Sequence, residues 1–132
     1  NDRVKAIANV IYAKYYYFKR NDEYKESVQR HQSKGEKEIP NKETFSVKEF
    51  GKCVIEANEL CPENEFVQFY LAILHSNILF SGYENGLYYN PEKGYRILCE
   101  LVDSVEEESL KEEILDVKKV IEKYYPQYKN KD

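Results

Sequence analysis

The sequence FSVKEFGKCVIEANELCPENEFVQFYLAILHSNIL, from Phe45 to Leu79, decides the fold. Its first part carries apolar residues at steps of three and four, which is the spacing of one face of an α-helix. These residues are Phe50, Cys53, Val54, Ala57, Leu60 and Cys61. Pro62 follows at once, and because proline lacks an amide hydrogen and clashes with the preceding turn, we expect the helix to end there. The stretch therefore predicts a helix, a tight turn and a second helix.

The second helix of this stretch is apolar over most of its circumference. The positions that we assign to its inner side leave only a thin polar strip; they are Phe66, Phe69, Tyr70, Ile73, Leu74, Asn77, Ile78 and Phe80. A helix that is apolar on nearly all sides is typical of burial between other elements. We therefore expect it to be the core helix of the protein.

The turn between the two helices resembles the junction between two tetratricopeptide repeats. That family has a small residue near the end of one helix, a proline in the turn, and a leucine with a small neighbour in the next helix. Ala57, Pro62 and the pair Leu71–Ala72 stand at these positions. His75 falls where the family usually has an aromatic residue, and Gly94 falls where it has a small residue in the following helix.

The segment GYENGLYYN, from Gly82 to Asn90, departs from this repeat because it is too long for the connection. A longer glycine-containing loop followed by NPEKGYRIL is closer to the related Sel-one-like repeat, although it is still several residues too long. The resemblance covers about half of the chain. It implies a right-handed stack of helix hairpins that presents a concave face to a peptide or a partner domain.

The N-terminal segment predicts a helix over residues 3–20. One face carries apolar residues over four turns: Val4, Ile7, Ala8, Ile11, Tyr15 and Phe18. Asn21 and Asp22 interrupt the pattern and are good caps for a short second helix to about Gln32. Residues 33–44 contain Gly, Pro and mixed charges with almost nothing apolar, so we expect an exposed loop there.

The C-terminal part predicts two further helices. Asn90 and Pro91 are a cap and first-turn pair for the first of them, which should end near Asp103. Its inner face is Leu98, Leu101 and Val102. Ser104 and Glu107 then have the spacing of a capping box that opens the last helix. The inner face of this last helix is Leu110, Ile114, Val117, Ile121 and Tyr124.

The predicted architecture is all-α: a single domain over residues 1–132, with about six helices that form a stack of antiparallel hairpins, and without a convincing strand. Pro126 should end the last helix, and residues 127–132 should form a frayed tail. No run approaches the roughly 20 apolar residues that a membrane helix needs, so we expect no membrane partner. Three cysteines at apolar positions favour free thiols in a reducing compartment and hence a cytoplasmic location.

Charge is uneven along the chain, although the formal net charge is only −4. Residues 1–42 hold 10 Lys and Arg against 6 Asp and Glu, and residues 43–132 hold 10 against 18. One interpretation is an acidic surface that attracts a basic partner and repels nucleic acid. The other is that these charges only keep the outer helix faces hydrated. The basic excess is small and comes without a recognition motif, so we do not expect nucleic acid as a ligand.

The sequence gives no pattern typical of catalysis, of a cofactor or of a metal site. Cys53 and Cys61 are eight residues apart, which is not the spacing of a zinc half-site. A hydrolase that uses Cys53 or Cys99 with His75 is the enzymatic alternative, but thiols on an apolar helix face are usually inert. His75, in the core helix, is more simply a buried structural residue. We therefore expect a protein that is not an enzyme.

The aromatic content is the remaining unusual feature, with 13 Tyr and 6 Phe but no Trp. Tyrosine is enriched at binding surfaces because it combines a large contact area with a polar tip. We predict partner contacts at Tyr83, Tyr88 and Tyr89 in the long loop, unless these rings instead cover the core helix. A second predicted surface is lined by Tyr12, Tyr16 and Tyr17.

Together these features predict a non-catalytic module that binds a partner protein or peptide through a helical-repeat surface. The alternative is a small acidic immunity protein that blocks a basic toxin such as a nuclease, for which the size and the acidic residues 43–132 are suitable. The two hypotheses require different surfaces. A scaffold needs an aromatic groove, whereas an inhibitor needs an acidic patch.

Overall fold

The computed structural model describes residues 1–15, 45–76 and 89–130, and in these ranges every regular element is helical. Helix α1 begins at Asp2 and covers the remainder of the first described range, up to Tyr15. The four others are α2 (Phe45–Leu60), α3 (Glu65–Ser76), α4 (Pro91–Ser104) and α5 (Glu108–Tyr124), and a 3-10 helix (Pro126–Asn130) follows. The predicted helical class is confirmed. The predicted short helix before Gln32, the loop over 33–44 and the long loop before Tyr89 lie outside the described residues.

Helices α2 and α3 are joined by the turn that Pro62 predicts. The Cys61 amide still donates to the Ala57 carbonyl oxygen at 2.9 Å, so the helical hydrogen bonding runs up to the proline and stops there. Asn64 then caps α3, because its side-chain oxygen accepts hydrogen bonds from the amides of Phe66 at 2.9 Å and Val67 at 3.2 Å. The Gln68 side chain donates to the Asn58 side-chain oxygen at 3.1 Å and ties the two helices together.

Helix α3 is the core helix, as the sequence predicts. Val67 and every residue from Phe69 to Ser76 are buried, and α3 contacts α2, α4 and α5. The inner face predicted for α2 is also correct, with Phe50, Val54 and Ala57 fully buried. Phe66 differs from the prediction, because it stands in the exposed first turn of α3 and remains 41% accessible.

Helices α3 and α4 approach each other closely at Gly94. A Cβ atom at this position would lie 2.8 Å from the Ala72 carbonyl oxygen and 3.2 Å from the Ser76 amide nitrogen. The start of α4 is fixed by two further contacts. The Asn90 amide donates to the His75 carbonyl oxygen at 2.9 Å, and the Asn90 side chain caps the Lys93 amide at 3.1 Å. The predicted Asn90–Pro91 start of α4 is confirmed.

Helix α4 ends within one residue of its predicted end, but the cap position of α5 is Glu107, three residues later than the predicted Ser104. Ser104 is the last residue of α4, and its hydroxyl donates to the Leu101 carbonyl oxygen at 3.4 Å instead of capping α5. Glu107 occupies the cap position of α5, but its carboxylate accepts a hydrogen bond from the Ser109 hydroxyl at 2.5 Å and caps no backbone amide of the helix. The physical reason is Val105, which is buried and fixes an extended turn between the helices.

The segment after α5 is packed against the protein where the sequence predicts fraying. Residues Pro126–Asn130 form the 3-10 helix, and Tyr128 is buried with its ring stacked on Tyr95 of α4 at a centroid distance of 5.2 Å. An aromatic ring can hold a short C-terminal segment in place because it buries a large area with little loss of side-chain entropy. Tyr124, which was predicted to face inward, is exposed instead.

Helix α1 is present as predicted, but its buried face is a different one. Ala6, Val10 and Ala13 are buried, and the predicted inner residues Val4, Ile11 and Tyr15 are exposed. The small side chains of Ala6 and Ala13 allow close packing of this face, which larger residues would prevent. The turn-by-turn spacing of 6, 10 and 13 is as regular as that of the exposed set, so α1 carries two apolar stripes.

Candidate protein-binding surface

The outer face of α1 concentrates exposed apolar and aromatic side chains. Val4 is 64% accessible, Ile11 62%, Tyr12 59% and Tyr15 57%. At 100° per residue Val4, Ile11 and Tyr15 lie within one narrow stripe, and Tyr12 borders it. These four residues form the α1 surface. Single exposed apolar residues are common on proteins, but a contiguous set on one helix face is typical of a contact site.

No other described helix shows such a set. The three remaining large exposed hydrophobic side chains in the described ranges are Phe66, Leu115 and Tyr124. Phe66 stands alone at the start of α3, and Leu115 and Tyr124 are nine positions apart on α5, which places them on opposite sides of that helix. They therefore do not form a common surface.

Basic side chains border the α1 surface on both sides. Arg3 and Lys14 lie along one edge of the stripe and Lys5 along the other, and all three are exposed. Asp2 is the only carboxylate in residues 1–15. The rest of the described chain is acidic in its exposed residues, particularly at the start of α5, so this basic edge is a local feature of α1.

The structure places the tyrosines predicted to bind a partner in different surroundings. Tyr12 belongs to the α1 surface. Tyr89 is half-buried, and its hydroxyl is hydrogen-bonded to the hydroxyl of Tyr125. Tyr16, Tyr17, Tyr83 and Tyr88 lie outside the described residues. The structure thus brings together Tyr12 and Tyr15 on the outside of α1 and connects Tyr89 to the C-terminal segment.

A cluster of aromatic residues joins α4, α5 and the 3-10 helix. Tyr95 donates a hydrogen bond to the Glu122 carboxylate at 2.6 Å and stacks on Tyr128, whose ring also contacts Tyr125. Burial, and then the bond to Glu122, raise the pKa of Tyr95 well above its usual range. Burial and the nearby Glu92 raise the pKa of Tyr128. Tyr95 and Tyr128 therefore stay protonated, and the cluster holds the C-terminal segment against α4 and α5.

An open pocket of about 350 Å³ lies where the start of α1 meets the turn between α2 and α3. Its lining residues are Arg3, Cys61, Glu63, Asn64, Glu65 and Phe66. The Cys61 thiol donates to a Glu63 carboxylate oxygen at 3.3 Å, and this bond, followed by burial, raises the pKa of Cys61. The pKa of Glu63 is lowered by its own backbone amide and by the thiol. A protonated thiol is a weak nucleophile, so Cys61 is not activated for nucleophilic attack in this pocket.

The three residues of the enzymatic alternative, Cys53, Cys99 and His75, lie in different surroundings. Burial, together with Glu49 and Glu56, raises the pKa of Cys53, which keeps its thiol protonated. Cys99 is half-buried beside the Tyr95 ring system. His75 is buried in α3. Across residues 1–15, 45–76 and 89–130, no group of three or more His, Cys, Asp or Glu side chains is arranged to hold a metal ion.

The sequence did not indicate the α1 surface because its stripe was assigned to the core. A signal for the correct orientation is present in Ala6, Val10 and Ala13, whose spacing also fits one helix face. The larger residues of the other stripe dominate any hydrophobicity count, so periodicity alone favours the wrong side. Only the packing of the whole domain distinguishes the two.

Comparisons with protein-family models, with curated proteins and with solved structures find no match to this chain. In the part of the chain that the structure describes, no helix is both long and apolar enough to cross a lipid bilayer. The function is therefore inferred from the geometry and charge of the described surface.

Proposed function

We propose that this protein is a non-catalytic module that binds a partner protein, and that the α1 surface is the centre of the contact. The observation that carries the proposal is the concentration of exposed apolar side chains: four of the seven found in the described residues lie within the 14 residues of α1. A surface of this kind costs solubility, and it gains free energy only when another molecule covers it.

The size of the α1 surface limits what it does alone. Burying the exposed parts of Val4 and Ile11 contributes about 1 to 2 kcal/mol each, and the two tyrosines add a similar amount. Association itself costs at least about 4 kcal/mol in lost freedom of motion. The α1 surface is therefore an anchor at the middle of a larger contact, whose rim includes polar residues around it.

The buried face of α1, with Ala6, Val10 and Ala13, belongs to the same hydrophobic core as the helices α2 to α5. Successive helices from α2 to α5 contact one another, and α3 and α4 cross at Gly94 with almost no space between them. This close crossing and the small buried Ala57 support a stack of antiparallel hairpins of the tetratricopeptide-like or Sel-one-like kind. Such stacks bind partners on their helix faces.

A second candidate function is that of an acidic inhibitor, such as an immunity protein that blocks a basic toxin. Exposed carboxylates at the start and along one part of α5 favour it: Glu106, Glu107, Glu108, Glu112, Glu113 and Asp116. A surface of one charge sign attracts an oppositely charged partner over several ångströms beyond contact. This candidate places the contact on α5 and makes binding strongly dependent on salt.

Capture of partners from host lysate with two matched double variants distinguishes these functions. Ile11→Ser with Tyr12→Ser removes an aliphatic and an aromatic group from the α1 surface. Leu115→Ser with Tyr124→Ser removes the same pair of residue classes from the exposed sides of α5. We expect the first variant to lose the protein that the wild type captures and the second to keep it, with both melting within about 2 °C of the wild type because all four side chains are exposed.

The opposite result would contradict the proposed function. If the α1 variant keeps the captured protein, and the protein is instead lost when Glu112, Glu113 and Asp116 are replaced by Lys, the acidic-inhibitor function is the correct one. Proper folding of every variant is checked by circular dichroism before capture, so that loss of binding is not confused with unfolding.

A further inference from the structure

The α1 surface has the spacing of a helix-pairing seam. Val4, Ala8, Ile11 and Tyr15 follow each other at steps of four, three and four residues, which is the alternation of the two seam positions in a heptad. Val4, Ile11 and Tyr15 are exposed and Ala8 is half-buried, so three of the four seam side chains are accessible to a partner helix. This pattern continues over all four turns of α1 that the structure describes.

The positions beside the seam are basic. With Val4 and Ile11 at one seam position and Ala8 and Tyr15 at the other, Lys5 and Lys14 take the two flanking positions that form ion pairs between paired helices. Arg3 adds a third positive charge on the same edge as Lys14. The flanking charges determine which helix is accepted, because like charges repel across the seam and opposite charges attract.

From this arrangement we infer that α1 pairs with an amphipathic helix of another protein, and that this helix carries Asp or Glu on both sides of its apolar seam. The inference rests on the proposed function and adds the chemistry of the partner. A second copy of this chain is disfavoured as the occupant, since its α1 would bring lysines to the same two edges. The contact thus favours a partner of opposite charge over self-association.

A basic amphipathic helix is also typical of a helix that lies on an anionic membrane. Two features favour a protein helix as the occupant here. Only Val4 and Ile11 are aliphatic in the exposed stripe, and the other members are tyrosines with polar tips, whereas membrane-surface helices commonly present Trp, Phe and Leu. In addition, Ala6, Val10 and Ala13 on the opposite face of α1 belong to the buried core, so α1 presents one face to a partner helix.

A nuclear magnetic resonance titration of the isotope-labelled full chain tests the inference. The probes are two three-heptad helical peptides with Leu at every seam position, which differ only in having Glu or Lys at the flanking positions. We expect the Glu peptide to shift the amides of residues 2–15 and to bind about tenfold more tightly than the Lys peptide, because each exposed pair changes from attraction to repulsion. The difference should shrink as sodium chloride is raised.

Two variants sharpen the titration. Lys5→Glu with Lys14→Glu should invert the preference, so that the Lys peptide binds more tightly. Ile11→Ser should weaken both peptides to a similar degree, because it removes the central apolar contact without changing the charge. Together these results separate the charge of the seam edges from its apolar middle.

The outcomes that overturn the inference are distinct from those that overturn the proposed function. Equal affinity for both peptides would reject an acidic partner while leaving α1 as a binding surface. Absence of any shift in residues 2–15 with either peptide would reject both. A response of α1 to vesicles of phosphatidylserine and phosphatidylcholine but not to the Glu peptide would assign it to a membrane. Nuclear Overhauser contacts from Ile11 and Tyr15 to a residue between 16 and 44 would show that the chain covers this helix itself.

Discussion

Helices α1 and α3 are both rich in apolar residues, yet the molecule uses them in different ways. In α3, Val67 and all residues from Phe69 to Ser76 are buried, including one histidine and one serine. In α1, only Ala6, Val10 and Ala13 are buried, and the larger Val4, Ile11 and Tyr15 remain accessible. The large side chains of α3 thus stabilise the fold, whereas Val4 and Ile11 of α1 are mostly exposed and contribute little to it.

The largest difference between the two helices should appear when a charge is introduced. Leu71→Asp places a carboxylate among the buried side chains of α3, which should cost about 4 kcal/mol or more and unfold a domain of ordinary stability. Ile11→Asp on α1 is the matched control and should change the free energy of unfolding by less than about 0.5 kcal/mol. Urea denaturation followed by circular dichroism measures both. A folded Leu71→Asp protein with an unchanged midpoint would show that α3 is not the core helix.

The crossing of α3 and α4 gives a second test, with two glycines as a matched pair. Gly94→Ala should cost about 1 to 3 kcal/mol, because its Cβ would lie 2.8 Å from the Ala72 carbonyl oxygen and backbone cannot move aside easily. Gly51→Ala in α2 meets only the Leu74 Cδ1 atom at 3.5 Å, and alanine is the better helix former, so this change should stabilise by up to about 1 kcal/mol. Thermal melting of the two variants checks the signs. A neutral Gly94→Ala would mean that α3 and α4 are farther apart than the structure places them.

A smaller effect distinguishes the tyrosines of the C-terminal cluster from those of α1. The raised pKa of Tyr95 means that the unfolded chain loses this proton first, so the stability from Tyr95 is fully present below the ordinary tyrosine pKa of about 10 and is lost as pH rises above it. We expect Tyr95→Phe to lower the free energy of unfolding by about 1 kcal/mol at pH 7 and to flatten its decline above pH 10. Tyr12→Phe, at an exposed position, should leave the free energy of unfolding at pH 7 unchanged. Identical pH profiles for wild type and Tyr95→Phe would contradict the assigned role of the hydrogen bond to Glu122.

Much of the fold was predictable because the decisive signals are local. Pro62 ends α2, Asn90 and Pro91 begin α4, and the nearly continuous apolar character of α3 indicates burial on several sides. The end of α4 was predicted within one residue, but the start of α5 was placed too early, because the capping-box spacing of Ser104 and Glu107 gave no information on the burial of Val105. A turn that is fixed by a long-range contact cannot be read from local spacing.

The candidate site was only partly predictable for the same reason. Tyr12 could be proposed as a contact residue from its type, since tyrosine is enriched in interfaces. The exposure of Val4 and Ile11 could not, because it depends on which of two stripes on α1 faces the core, and that choice is made by the fit of Ala6 and Ala13 against the other helices. The stacking of Tyr128 on Tyr95 is another long-range contact that local pattern does not show.

The most direct test of whether the α1 surface serves a partner is the free energy of unfolding of the double variant Ile11→Ser with Tyr12→Ser, measured by urea denaturation against the wild type. If the α1 surface serves a partner and not the fold, the two values should agree within about 0.5 kcal/mol. A loss of about 2 kcal/mol or more, which is the cost of removing buried apolar side chains, would show that this face belongs to the core and would contradict the account.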